Sequence, residues 1–152
     1  VAWLCSDAGR FHSGAVFDVC TGWEIPVYLH PADVELLDDP PDDVRAVADG
    51  MCLAVAGVDV TVDHTPGHTP GSVTYRVSAD TDEGPAEVAF TGDTLGFRWV
   101  GRGERDADRA ALLASVGAKL LVLGDTTVVL PGHGTSTTIG GERRFNPALQ
   151  GM

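Results

Sequence analysis

Alternation of apolar and polar side chains is clearest where Val58, Val60 and Val62 are separated by Asp59 and Thr61, and it predicts a half-buried strand over residues 58–63. A second strand, 52–55, precedes it through Gly57. After two Pro-Gly pairs, residues 73–77 and 86–90 read as the arms of a hairpin with the polar stretch 78–85 as its tip. Residues 2–5, 25–29 and the β-branched run 127–130 are shorter strand candidates. Helices are predicted over 13–20, where Ala15, Val16, Val19 and Cys20 share a face, over 32–37 after the His30-Pro31 turn, and as one or two turns at 44–48. The strongest helical signal is 106–121, with an apolar stripe of Ala107, Ala110, Ala111, Leu113, Ala114 and Leu120 and with Asp106 as its cap. Residues 38–43 and 96–105 read as loops. Strands and helices alternate without internal repeat or linker, which predicts one layered α/β domain, or αββα, over 1–152.

Composition narrows the function. The chain has 152 residues, 43% of them hydrophobic, enough for one packed domain. Acidic residues outnumber basic ones 22 to 10, for a net charge of −12, and such a surface repels nucleic acid and anionic membranes. Cys5, Cys20 and Cys52 lack the short spacing of a zinc knuckle or redox pair, and are expected as small buried residues of a reducing compartment. The first residues carry no signal-peptide pattern and no run is long enough to span a bilayer, so the expectation is a soluble, cytoplasmic protein.

Candidate chemistry sits at strand ends. His68 lies in the stiff loop His64-Thr65-Pro66-Gly67-His68-Thr69-Pro70-Gly71, Asp93 follows the strand ending at Thr91-Gly92, and His133 lies in Pro131-Gly132-His133-Gly134. Strands side by side in a sheet bring such loops into one cleft. Two imidazoles and a carboxylate suit zinc, with iron and manganese as alternatives, and suit calcium poorly. Singly, each of these residues reads as an ordinary turn residue; together, in order after strands, they read as a metal site.

Thr65-Pro66-Gly67-His68-Thr69-Pro70-Gly71-Ser72, Thr91-Gly92-Asp93-Thr94 and Pro131-Gly132-His133-Gly134 resemble the metallo-β-lactamase superfamily, and in particular its glyoxalase II-like (hydroxyacylglutathione hydrolase-like) branch. Residues 137–147 and Pro26-Val27-Tyr28-Leu29-His30-Pro31-Ala32-Asp33 carry the same likeness, which runs from about Ser13 to the end. The resemblance implies an αββα sandwich, metal ligation by His68, Asp93 and His133, and Asp93 bridging two ions. It gives His64 and His30 no ligand role; they read as a strand-end and a helix-start residue. The family's His-x-His-x-Asp-His motif belongs just before Ser13-Gly14, where this chain has Asp7-Ala8-Gly9-Arg10-Phe11-His12. Only His12 stands in register, so one position is expected to be held by His12, Asp93 and His133 while the other keeps only His68 and a share of Asp93, which implies one or two zinc ions with at most one well held. Strands that precede the motif in the family are expected to be missing ahead of Val1. The exposed sheet edge that follows from this suggests pairing with a second copy, or an incomplete gene product.

The implied activity is metal-dependent hydrolysis of a thioester of glutathione or a similar thiol. The metal supplies hydroxide near neutral pH, Asp93 belongs to the catalytic centre, and a thiolate leaves without a strong general acid. Arg98, Arg102 and Arg105 are candidates to hold the carboxylates of such a substrate, Arg102 foremost, beside their reading as a solvated basic patch. The alternatives are a non-catalytic remnant of the fold with a damaged metal site, and a lactonase or an iron-dependent persulfide dioxygenase of the same superfamily.

Overall fold

Val60 and Val62 are buried, as their alternation requires, and they belong to a strand that runs from Val58 to His64. The computed structural model describes residues 3–4, 26–37, 42–82, 84–102 and 106–151. In chain order its elements are β1 (Trp3–Leu4), β2 (Val27–Leu29), helix α1 (Pro31–Val34), β3 (Val44–Ala46), β4 (Cys52–Val55), β5 (Val58–His64), β6 (Val73–Thr81), β7 (Gly84–Gly92), β8 (Leu95–Gly96), β9 (Trp99–Val100), helix α2 (Asp106–Ser115) continuing as a π turn (Val116–Leu120), β10 (Val128–Pro131), β11 (Thr137–Thr138), helix α3 (Ile139–Phe145) and a 3-10 turn (Pro147–Leu149).

Two sheets form the layers. The larger has six strands in the order β11-β10-β7-β6-β5-β4, antiparallel except for the parallel pair β7/β10. The smaller is parallel, in the order β1-β2-β3. Between them Val47, Leu53, Val60, Val62, Val73 and Tyr75 are buried, with Tyr28 of β2 packed against them, and the Tyr75 hydroxyl donates to the Tyr28 carbonyl at 3.0 Å. The opposite face of the large sheet carries Val129, which is buried with Leu112, Val116 and Leu120 of the helical segment and with Ile139. The same face holds a charged ladder: Arg76 pairs with Asp63 on one neighbouring strand and with Glu87 on the other at 3.0 Å. These bonds, led by the one to Asp63, raise the already high pKa of the guanidinium. The αββα expectation therefore stands in its layers. No helix among the described residues is long and apolar enough to cross a membrane.

Several local expectations are corrected. Residues 44–48 hold strand β3, not helical turns, because Val44, Arg45 and Ala46 pair in register with Val27, Tyr28 and Leu29; a partner strand outweighs weak helical propensity. The hairpin arms extend through most of the stretch expected as a tip, with Ser78 opposite Glu87 and Thr81 opposite Gly84. That end of the ribbon is largely exposed, so it carries no apolar alternation to read. Within 96–105 a small hairpin, β8 against β9, replaces part of the loop. The first helix is shorter than 32–37, and His30 caps it by accepting from the Ala32 N–H. In α2 the buried residues are Leu112, Ser115, Val116 and Leu120, whereas Ala110 and Ala114 face solvent. The helix then widens, with Leu121 N–H donating to the Val116 carbonyl at 2.9 Å, an i to i−5 bond. Cys52 is exposed on edge strand β4, not buried. The 13–20 helix, Cys5, Cys20, the Asp106 cap and the 7–12 motif lie outside the described residues or side chains.

Candidate metal centre

Strand β5 ends at His64, and the chain turns back on itself through Pro66 to enter β6 at Val73. Thr65 N–H donates to the Ser72 carbonyl at 2.8 Å and closes the neck of this loop. Ser115 Oγ, from α2, donates to the Pro66 carbonyl at 2.8 Å. Gly67 has φ +138° and lies so close to the Leu112 backbone that a side chain would overlap it, so the turn requires glycine there. At the base of the loop the His30 and His64 rings stack with centroids 4.1 Å apart, and His64 Nε2 meets the Pro70 carbonyl at 2.9 Å. Burial, then the neighbouring His64, holds the His30 imidazole below the ordinary histidine range, with Asp33 opposing in part.

The loop presents His68. Its Nδ1 lies 3.1 Å from the Arg102 backbone carbonyl. A carbonyl only accepts, so Nδ1 carries the proton and, in the neutral ring, Nε2 keeps its lone pair. Nε2 faces Asp93 Oδ2 at 3.7 Å.

Asp93 directly follows β7, and His133 follows β10 by two residues. Because β7 and β10 run parallel, their C-terminal ends coincide, with Pro131 in register with Gly92 after a one-residue slip. Gly132 N–H donates to the Gly92 carbonyl at 2.8 Å. His133 Nδ1 then lies 2.8 Å from Asp93 Oδ1. The structure thus brings His68, Asp93 and His133 together at the strand ends.

No family model matches the sequence. Among curated proteins the chain is 46% identical over 148 residues to an uncharacterized protein of Mycobacterium tuberculosis, covering 84% of this chain and 66% of the relative. It is 32% identical over 168 residues to a Bacillus subtilis protein named "Probable metallo-hydrolase YqgX", covering 100% of this chain and 77% of that protein. The solved structure of the BLEG-1 B3 metallo-β-lactamase superposes with a TM-score of 0.85 at 36% identity, over 99% of this chain and 78% of that one. The chain belongs to the metallo-β-lactamase superfamily. A second superfamily structure, TTHA1623 in a di-iron-bound form, matches with a TM-score of 0.78 at 37% identity, over 96% of this chain and 76% of that one. ETHE1 from Myxococcus xanthus matches with a TM-score of 0.76 at 27% identity, over 95% of this chain and 46% of that one. A shorter match joins 41% of this chain to 30% of hydroxyacylglutathione hydrolase GloC of Haemophilus influenzae, at 45% identity over 64 residues. The chain spans 66% of the length of its mycobacterial relative.

As a superfamily site, the cluster suits a divalent transition metal in kind: two imidazoles and one carboxylate. Two ligands about 2.0–2.1 Å from one tetrahedral ion stand roughly 3.3–3.5 Å apart. The His68–Asp93 separation of 3.7 Å is close to that spacing, while the 2.8 Å between His133 and Asp93 is a direct hydrogen bond. Among the described residues no group of three or more His, Cys, Asp or Glu is arranged to hold an ion. His12, the expected fourth ligand, lies outside the described residues.

The arginines separate. Arg102 is exposed and meets the site through its backbone carbonyl. Arg98 is taken up elsewhere: its Nη1 donates to the Gly141 carbonyl at 2.6 Å and lies 3.3 Å from Glu142 Oε1, so the expectation that it holds a substrate carboxylate is replaced by an internal role. Arg105 lies outside the described residues. Sequence reading did not single out the two buried carboxylates that brace these loops, Asp33 and Glu142. Their signals were the His-Pro-Ala-Asp helix start and the run Thr137-Thr138-Ile139-Gly140-Gly141-Glu142, in which an acidic residue follows a helix cap.

Proposed function

We propose that this chain is a metal-dependent hydrolase of thioesters of glutathione or a similar small thiol. The observation that carries the reading is the meeting of His68 and His133 on Asp93 at the ends of neighbouring strands. The partial identity to hydroxyacylglutathione hydrolase GloC supports the thioester as substrate. Zinc is the proposed ion, with iron as the alternative that the di-iron form of TTHA1623 supports. When bound, the ion supplies a coordinated water acidic enough to give hydroxide at neutral pH. His68, fixed by the Arg102 carbonyl, offers Nε2 to the ion. Asp93 and His133, whose Oδ1 and Nδ1 meet at 2.8 Å, and His12 are the proposed further ligands. The exposed Arg102 side chain is the proposed partner of a substrate carboxylate. A thiolate is a good leaving group, so no acidic side chain needs to protonate it.

A second reading is a non-catalytic remnant, favoured by Asp7, Gly9 and Phe11 standing where the family's motif has two histidines and an aspartate. Elemental analysis of freshly purified protein, with hydrolysis of a glutathione thioester, separates the two. The hydrolase binds zinc or iron near one equivalent, and His133→Ala abolishes turnover. Protein without metal or turnover is the remnant. Turnover of a lactone, a β-lactam or a persulfide in place of the thioester reassigns the substrate and leaves the metal site standing.

A further inference from the structure

The loop that presents His68 is held on both sides, and the second hold is a buried charge. On the N-terminal side Ser115 bonds Pro66 and Leu112 backs Gly67. On the C-terminal side Asp33, from α1, is fully buried and its Oδ2 accepts from Thr69 Oγ1 at 2.5 Å. Its Oδ1 accepts from the Gly71 N–H at 2.6 Å. Thr69 is the residue after His68, and its hydroxyl also lies 2.7 Å from Ser72 Oγ, which in turn accepts from the Thr69 N–H at 3.0 Å. A carboxylate costs far more to bury than an apolar side chain of the same size unless it is fully bonded, and its bonds to N–H and O–H groups are short and directional. Filling this space would need only a leucine; fixing the direction of a loop needs acceptors at set points.

We propose that Asp33 is a positioning residue of the site, holding Thr69 and Gly71 so that His68 directs Nε2 at Asp93. The inference rests on the reading of His68 as a metal ligand. It assigns a role to a residue 35 positions before His68 that touches neither ion nor substrate.

The test uses the full chain with Asp33→Asn, Thr69→Val and Thr69→Ser. Asp33→Asn keeps the volume and one carbonyl oxygen for Gly71 but turns an amide toward Thr69. Thr69→Val removes the hydroxyl and leaves Gly71 bonded, and Thr69→Ser restores the hydroxyl. Three readouts are taken: the His68 imidazole nitrogen shifts in metal-free protein, zinc affinity by competition with a chelator, and kcat and KM on a glutathione thioester. Asp33→Asn and Thr69→Val are expected to move the His68 resonances, weaken zinc about tenfold or more, and lower kcat with little change in KM. Thr69→Ser is expected to behave as the parent. Lower melting temperatures with unmoved His68 resonances and unchanged zinc affinity overturn the proposal and leave Asp33 a purely structural residue. Should Asp33→Asn fail to fold, Thr69→Val against Thr69→Ser decides alone. Should the parent show no thioester turnover, the proposed activity falls, while the imidazole shifts still decide the role of Asp33.

Discussion

His133 Nδ1 lies 2.8 Å from Asp93 Oδ1, although the two residues are 40 positions apart in the chain. The parallel pairing of β7 and β10 is what closes that distance, and Gly132 is what lets it close. A β-carbon on residue 132 would stand 2.9 Å from Asp93 Oδ1, inside normal contact. Gly132→Ala should therefore push the Asp93 carboxylate away from its imidazoles. Because the atom met is the tip of a side chain that can turn aside, the stability cost is expected to be small. Zinc affinity is expected to fall roughly tenfold, since displaced ligands and their supports cost about that much. Chemical denaturation and chelator competition on the same preparation measure both.

Glu142 is expected to be the most stability-critical charge outside the site. It is fully buried and accepts from Arg98 N–H at 2.9 Å, Thr137 Oγ1 at 2.7 Å and Asn146 Nδ2 at 2.8 Å. Arg98 has φ +64°, a strained setting for a residue with a side chain, and Glu142 holds its backbone there. Asn146 also donates to the Trp99 carbonyl at 3.1 Å, so the whole β8–β9 turn hangs on this carboxylate. Glu142→Ala strands these donors and should cost about 3–5 kcal/mol, or roughly 10 °C in melting temperature for a domain of this length. Glu142→Gln retains one acceptor and should cost less. Thermal melts of the two variants check the order.

The sheet was legible because its strands alternate, and the candidate site because His68, Asp93 and His133 follow those strands. Val60 and Val62 face the core as their alternation requires, and His68, Asp93 and His133 lie together, while His12 falls outside the described residues. What the sequence hid has physical causes. Val44–Ala46 is a strand only because Val27–Leu29 lies beside it, and nothing local says so. The outer half of the β6–β7 ribbon is wet on both faces, so its polar residues mimic a loop. The α2 stripe holds where Leu113 packs against the core and Leu120 is buried, but it omits Leu112 and Val116 and includes the exposed Ala110 and Ala114, because alanines dilute the contrast between faces. Buried Asp33 and Glu142 escaped because a charged residue reads as surface until its partners, 36 and 44 residues away in Thr69 and Arg98, are brought to it.

The stacked pair His30–His64 makes stability fall with acidity in a definite window. Burial, then the His64 ring, lowers the His30 pKa in the folded state, against the partial pull of Asp33. The unfolded chain then binds a proton at higher pH than the folded one does. Above the ordinary histidine value of about 6.5 both states are neutral at this site and nothing is lost. As the pH falls through that value the unfolded state gains a proton first, and stability declines until the lower folded pKa is passed. His30→Asn keeps a side-chain acceptor for the Ala32 N–H, since asparagine caps helices well, and removes the titration. Denaturation midpoints between pH 8 and pH 5 should therefore fall less steeply in His30→Asn than in the parent. Parallel slopes in the two proteins would show that the acid sensitivity in this window comes from other groups, and Asp49, which accepts from the His64 N–H, is not one of them. Its carboxyl is held low first by the bond from Lys119 and then by the His64 N–H, so its contribution is lost only at a lower pH, near and below the ordinary carboxylate range.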